Sequence, residues 1–140
     1  MKLSRTVAYA VRATLQLARA SSDAPVPCSR LASEGDMPER FLLQILRNLV
    51  THGILRSTRG VDGGYMLTRP PEEISLLEVI EAIEGPMSAD HLAADGLDDS
   101  TGLDDSTQIK LKTALVEITE TSRRQLEAIK FSQLLEPPAT

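Results

Sequence analysis

The sequence predicts a mainly α-helical domain that carries one small β-hairpin. Three observations predict it. Aromatic residues are scarce, with two Tyr, two Phe and no Trp among 140 residues. Leu, Ile, Val and Ala must therefore fill the core, and that mix favours helices over a β-sandwich. Apolar residues recur at three- and four-residue spacing in three segments. One stretch breaks the rhythm: Arg56 to Pro70, RSTRGVDGGYMLTRP, sets three glycines between two short runs of strand composition.

From Ser4 to Ala20, residues Val7, Ala10, Val11, Leu15 and Ala18 mark an apolar helix face, and Arg5, Arg12 and Arg19 share a side. Ser21 to Pro27, SSDAPVP, reads as a loop. CSRLASEG reads as a short helix, with Cys28 or Ser29 as its cap and Gly35 as its stop. DMPERFLLQILRNLVTHG follows after a tight turn, with Asp36 as cap and Pro38 in the first helical turn. Phe41, Leu42, Ile45, Leu46, Leu49 and Val50 form its expected buried stripe, while Arg40, Leu43, Gln44, Arg47, Asn48 and Thr51 take the other face. Gly53 ends this helix. Ile54 to Thr58 and Tyr65 to Thr68 are the two strands, joined by Arg59 to Gly64, with Gly60, Gly63 and Gly64 open to positive φ. Pro70-Pro71 stops the second strand, and the capping box SLLE, Ser75 to Glu78, opens a helix that ends before Gly85-Pro86.

The chain then turns acidic. Gly96 to Thr101 is repeated residue for residue as Gly102 to Thr107, and its composition predicts a flexible loop. A long helix follows from about Ser106 to Leu135, with a narrow seam of Leu111, Leu115, Ile118, Ser122, Leu126 and Ile129. Such a seam suits pairing with a second copy, or packing on the chain's own first helix, and the two are compatible. The expected division is 1–86 as a winged helix-turn-helix, 87–107 as loop and 108–135 as a dimerisation helix.

Net charge is −5, but unevenly spread. Residues 1–71 hold ten Lys and Arg against five Asp and Glu; residues 72–140 hold five against fifteen. That asymmetry suits a polyanion-binding front half, with ordinary surface variation as the alternative. The single Cys28 allows no internal disulfide. No apolar run reaches the roughly 18 residues of a membrane span, and the N-terminus reads as an amphipathic helix, so a cytoplasmic protein is expected. No nucleophile–base pair or metal-ligand spacing emerges, and Arg59 to Gly64 lacks the Lys of a phosphate loop, so no enzyme is expected.

Helix, short helix, tight turn, helix and glycine-tipped hairpin is the plan of a winged helix-turn-helix. In that plan the second helix of the pair enters the major groove and the wing reaches backbone or minor groove. Arg59 at the tip suits a narrow groove, and Arg56 and Arg69 suit phosphates. RSTRGVDGGYMLTRPPEEISLLEVIEAIEGP resembles the wing and following helix of the bacterial Rrf2 family of winged-helix regulators. MKLSRTVAYAVRATLQLA resembles that family's first helix, MPERFLLQILRNLVTHGILRS its recognition helix, and IKFSQLLE matches weakly near the end.

The resemblance implies a homodimeric transcription regulator on a palindromic double-stranded operator. It carries base or groove contact onto Pro38, Arg40, Phe41, Leu43, Gln44 and Arg59; Arg47, Gly60 and Gly63 complete the expected DNA-facing set. Arg suits guanine and Gln suits adenine. Phe41 is expected to be mostly core. Leu43 replaces the Glu common in the family, so the target sequence does not carry over. Cluster-binding members have three cysteines in the loop after EGP, and this chain has none there, so no iron–sulfur cluster and no other cofactor is expected. His91 with Asp90, Asp95, Asp98, Asp99, Asp104 and Asp105 makes a poor substitute, and the spacing is not that of an EF-hand. Cys28 at a helix start is a candidate redox thiol or a plain small residue, and His52 is expected to be structural. A small-molecule or protein effector remains open. A protein-interaction module that kept the fold without DNA recognition is the competing reading.

Overall fold

The computed structural model describes residues 3–20, 24–88 and 102–135. Helices α1 (Arg5–Arg19), α2 (Cys28–Gly35) and α3 (Glu39–Thr51) are followed by strands β1 (Leu55–Thr58) and β2 (Gly64–Leu67). A 3₁₀ turn (Pro71–Glu73) leads to α4 (Leu76–Glu84), and α5 (Asp105–Ala128) and α6 (Phe131–Leu135) close the chain. The mainly helical body with one hairpin is therefore as expected.

Ser4 caps α1 by accepting the Val7 N–H at 3.2 Å. The buried face of α1 is Val7, Ala10, Ala13, Thr14 and Leu17, rotated from the expected stripe, which leaves Val11, Leu15 and Ala18 half-buried. Thr14 enters the core because its hydroxyl donates to the Ala10 carbonyl at 2.8 Å and so leaves no unmet donor.

The α2–α3 turn corrects three expectations. Pro27 precedes α2 as its cap residue, so Cys28 is the first helical residue. Asp36, not Gly35, takes the left-handed conformation that ends α2, with φ 52°. Pro38 is the residue before α3 and Asp36 is not its cap. Gly35 is needed for closeness instead: a Cβ there would sit 2.6 Å from Met37 Cε.

The hairpin pairs Leu55 with Leu67, Arg56 with Met66, Ser57 with Tyr65 and Thr58 with Gly64. Val26 pairs with Tyr65 on the far side of β2 through hydrogen bonds of 3.0 and 2.8 Å, so the wing rests on a third extended segment. The predicted capping box is present: the Glu78 N–H donates to Ser75 Oγ at 3.1 Å, and the Ser75 N–H donates to Glu78 Oε2 at 2.8 Å.

The C-terminal region departs most from expectation. The long helix stops at Ala128, where Ile129 is extended (φ −84°, ψ 114°) and its carbonyl accepts the Leu76 N–H at 2.8 Å. The Phe131 N–H donates to the Ile74 carbonyl at 3.0 Å, and its side chain is fully buried in the hydrophobic core, where α6 packs on α1 and the 3₁₀ turn. No Gly or Pro marks this break; two tertiary backbone hydrogen bonds and a buried ring outweigh helix propensity there. The start also differs. Gly96 to Thr101 lies outside the described residues, but in the second copy Asp104 accepts the Thr107 N–H and caps a helix that begins at Asp105. Within the chain α5 packs on α4, while α1 receives α6.

Candidate nucleic-acid interface

Helix α3 buries Leu42, Ile45, Leu46 and Leu49. At 3.6 residues per turn, Arg40, Gln44, Arg47 and Thr51 then fall within an arc of about 60° on the opposite side, and all four are exposed. The core fixes which face looks outward, so apolar spacing alone presents this polar set. Gln44 Nε2 reaches the Asn48 side-chain oxygen at 3.3 Å, which holds the amide along the helix. Pro38 is exposed at the head of α3 and Leu43 is half-buried beside the arc. His52 contacts the Asn48 carbonyl through Nδ1 at 2.9 Å, the structural role expected for it.

Phe41 is corrected from core to surface. It is 45% exposed and meets Tyr9 edge to face, with ring centroids 5.9 Å apart. Arg12 lies over the Tyr9 ring and donates to the Gly35 carbonyl at 2.7 Å. The N-terminal end of the arc is thus braced by α1, through an aromatic–cation stack that local periodicity in α3 does not reveal.

The wing stands beside α3. Arg47 is near enough to Tyr65 on β2 to pull its hydroxyl pKa down, although burial and the Cys28 thiol outweigh this and leave it raised. Arg59 is exposed in the turn, next to Gly60 at φ +112° with open space around it, and Val61 is fully exposed. The other two glycines serve the hairpin itself. A Cβ on Gly63 would lie 2.2 Å from the Thr58 carbonyl oxygen, and one on Gly64 would lie 2.4 Å from the Val26 backbone. Arg56 is exposed, with its guanidinium 3.7 Å from Met66 Sδ. Arg69 is held within the protein: it donates to Glu78 Oε1 at 2.7 Å and to the Glu73 carbonyl at 2.8 Å. Partial burial would raise the Glu78 pKa, but the bonds from Arg69 and Ser75 outweigh it and hold the carboxyl below its usual range.

Cys28 does not gain a depressed pKa from its helix start. Burial, and then the Glu39 carboxylate, push its thiol up, and Sγ lies 3.8 Å from the Glu39 carbonyl. Among the described residues, no three of His, Cys, Asp and Glu come together as a metal site. His91, Asp90, Asp95, Asp98 and Asp99 lie outside those residues. No described helix is long and apolar enough to cross a membrane.

On α5 the expected seam divides. Leu111 and Ile118 are exposed, Leu115, Ser122 and Leu126 are half-buried, and Ile129 has left the helix. Thr119 is the helix's buried residue, and Arg123 pairs with Glu81 of α4. Glu81 also accepts the Met87 N–H at 2.7 Å, which ties the chain leaving α4 to the same point. Arg123 and Glu81 are 42 positions apart, and no local pattern signals their pairing.

A model of the Rrf2 family, described as iron-dependent transcriptional regulator, matches residues 3–137. A Mycobacterium tuberculosis HTH-type transcriptional regulator is 45% identical over 89 residues, 64% of this chain and 55% of that relative. The chain therefore matches little more than half the length of its first curated relatives. The HTH-type transcriptional regulator CymR of Bacillus subtilis is 26% identical over 122 residues, 87% of this chain and 86% of its own. Among solved structures, B. subtilis CymR, named as the global cysteine regulator, superimposes with a TM-score of 0.74 at 24% identity, covering 96% of this chain and 95% of that one; this likeness shows the fold. T. potens IscR gives 0.72 at 26% identity, covering 96% and 86%. The family's description names iron, yet the chain has one cysteine where a cluster takes several thiolates, so the described donors do not fit such a group. Because the family match takes in nearly the whole sequence, this protein belongs to the Rrf2 family.

Proposed function

We propose that the protein is a DNA-binding transcriptional regulator that works as a homodimer, in the cytoplasm, without an iron–sulfur cluster and without catalysis. The observation that carries this reading is the exposed arc of Arg40, Gln44 and Arg47 on the face of α3 opposite the core, beside a hairpin with Arg59 at its tip. Docked in a major groove, Arg40 and Gln44 reach base edges, Arg47 and Arg56 meet phosphates, and Arg59 enters the flanking minor groove. Pro38 and Leu43 shape the contact around that arc. Gly60 supplies the turn that carries Arg59, and Gly63 the tight backbone beneath it. Arg69 holds the base of the wing through Glu78 instead of contacting DNA. The exposed Leu111 and Ile118, beside the half-buried Leu115 and Leu126, support α5 as the dimer surface, with Ile129 anchoring its end.

The test is a nuclease footprint on the DNA upstream of the protein's own gene at low salt. A protected palindrome, with half-sites one or more helical turns apart, is the expected result. No protected site would favour the protein-interaction reading.

A further inference from the structure

The exposed arc of α3 has an apolar neighbour to which hydrogen bonding gives no part. Phe41 is the third residue of the helix and is 45% exposed. It lies about 60° round the helix from Gln44 and about 4.5 Å nearer the N-terminus. Its ring is braced. Tyr9 of α1 meets it edge to face, with the ring planes at 80°. The Arg12 guanidinium lies 5.6 Å from the centre of the Tyr9 ring, and Arg12 is itself fixed to the Gly35 carbonyl at the end of α2. A single exposed aromatic is ordinary on a protein surface. This one is held in one orientation at the reading end of an outward-facing helix. Leu43, the apolar residue on the other flank of the arc, is half-buried.

A phenyl ring offers no charge to a phosphate and no hydrogen bond to the polar edge of a base. In the major groove the apolar feature is the methyl group of thymine, and Phe is among the side chains that contact it. The first residues of a recognition helix are the ones that reach base edges. Base pairs are stacked about 3.4 Å apart, so the offset between Phe41 and Gln44 spans one step or slightly more. We infer that Phe41 is a specificity-determining residue that reads the methyl of a thymine within two base pairs of the base read by Gln44. This rests on the DNA-binding reading and adds to it a contact made by shape instead of by hydrogen bonds. Tyr9 and Arg12 act as positioning residues, since they touch the ring and not the DNA.

The probe is the duplex protected in the footprint, with each thymine replaced in turn by deoxyuridine at both symmetric positions. That change removes the methyl and leaves every hydrogen-bonding group in place. Binding to the full chain is followed by fluorescence anisotropy. One pair of positions is expected to weaken binding about fourfold per half-site and about fifteenfold together, the worth of one buried methyl at each. Phe41→Ala is expected to bring that ratio to about one, while Phe41→Leu, which keeps an apolar body, retains part of it. The wild-type comparison needs no variant, and Phe41→Leu carries the test if Phe41→Ala melts early. A wild type that no uracil position weakens by more than about twofold overturns the inference. So does a ratio that Phe41→Ala leaves unchanged, which would give the methyl to another side chain such as Leu43. The absence of any protected duplex would instead defeat the DNA-binding reading, and this inference with it.

Discussion

Replacing Arg59 by Ala should lower the salt dependence of DNA binding by a predictable amount. Arg47 and Arg56, placed on phosphates, and Arg59, which displaces counterions in the minor groove, are exposed, and none forms an ion pair among the described residues. A homodimer presents each twice. Six neutralised charges give a slope of log K against log salt of about −5.4, so raising salt from roughly 50 to 200 mM weakens binding on the order of a thousandfold. Arg59→Ala removes one contact per subunit, and the slope should fall to about −3.6. Arg30→Ala is the control: Arg30 lies on α2 and is already paired with Glu34 at 3.0 Å, so the slope should not move. The assay is fluorescence anisotropy of a labelled duplex carrying the protected site, titrated at a series of KCl concentrations. A wild-type slope near zero, or an Arg59→Ala slope equal to wild type, would refute the reasoning.

Three further predictions concern the frame. Phe131→Ala empties a fully buried aromatic position and should cost about 3–5 kcal/mol in urea denaturation; a loss under about 1 kcal/mol would contradict the placement of the ring in the core. Glu78 has a lowered pKa, so its contribution is present above the carboxylate's ordinary range and is lost as pH falls through the lowered value. Its side chain is 39% exposed, so screening limits the contribution to about 1 kcal/mol or less, and Glu78→Gln should flatten that part of the acid limb in thermal melts. Cys28 is half-buried and carries a raised pKa, so iodoacetamide at neutral pH should alkylate it more slowly than an unfolded control, and equal rates would sink the raised-pKa reading.

Much of the site was legible because periodicity determines which face of α3 is buried. Once Leu42, Ile45, Leu46 and Leu49 are inside, Arg40, Gln44 and Arg47 must be outside. The hairpin was legible from glycine spacing, and the cap of α4 from SLLE. What escaped was set by contacts distant in sequence. Phe41 reads as part of an apolar stripe until Tyr9 supplies a surface partner for it. Arg69 reads as a free cation until Glu78 closes on it. Residues 106–135 read as one helix because nothing local opposes it, whereas the backbone of Ile74 and Leu76 captures Ile129 and Phe131. Gly63 reads as open to positive φ, but only Gly60 and Gly64 of the three take it; Gly63 is needed because a Cβ there would strike the chain's own backbone at Thr58.

The most direct test of the central idea, that α3 and the wing grip one duplex together, is affinity cleavage from the wing tip. Val61 is fully exposed, so Val61→Cys in a Cys28→Ser background gives one accessible thiol for an iron–EDTA label. Cuts clustered in the minor groove just outside each protected half-site are expected. Cuts spread evenly along the duplex, or cuts at the centre of the site with none at its flanks, would contradict it.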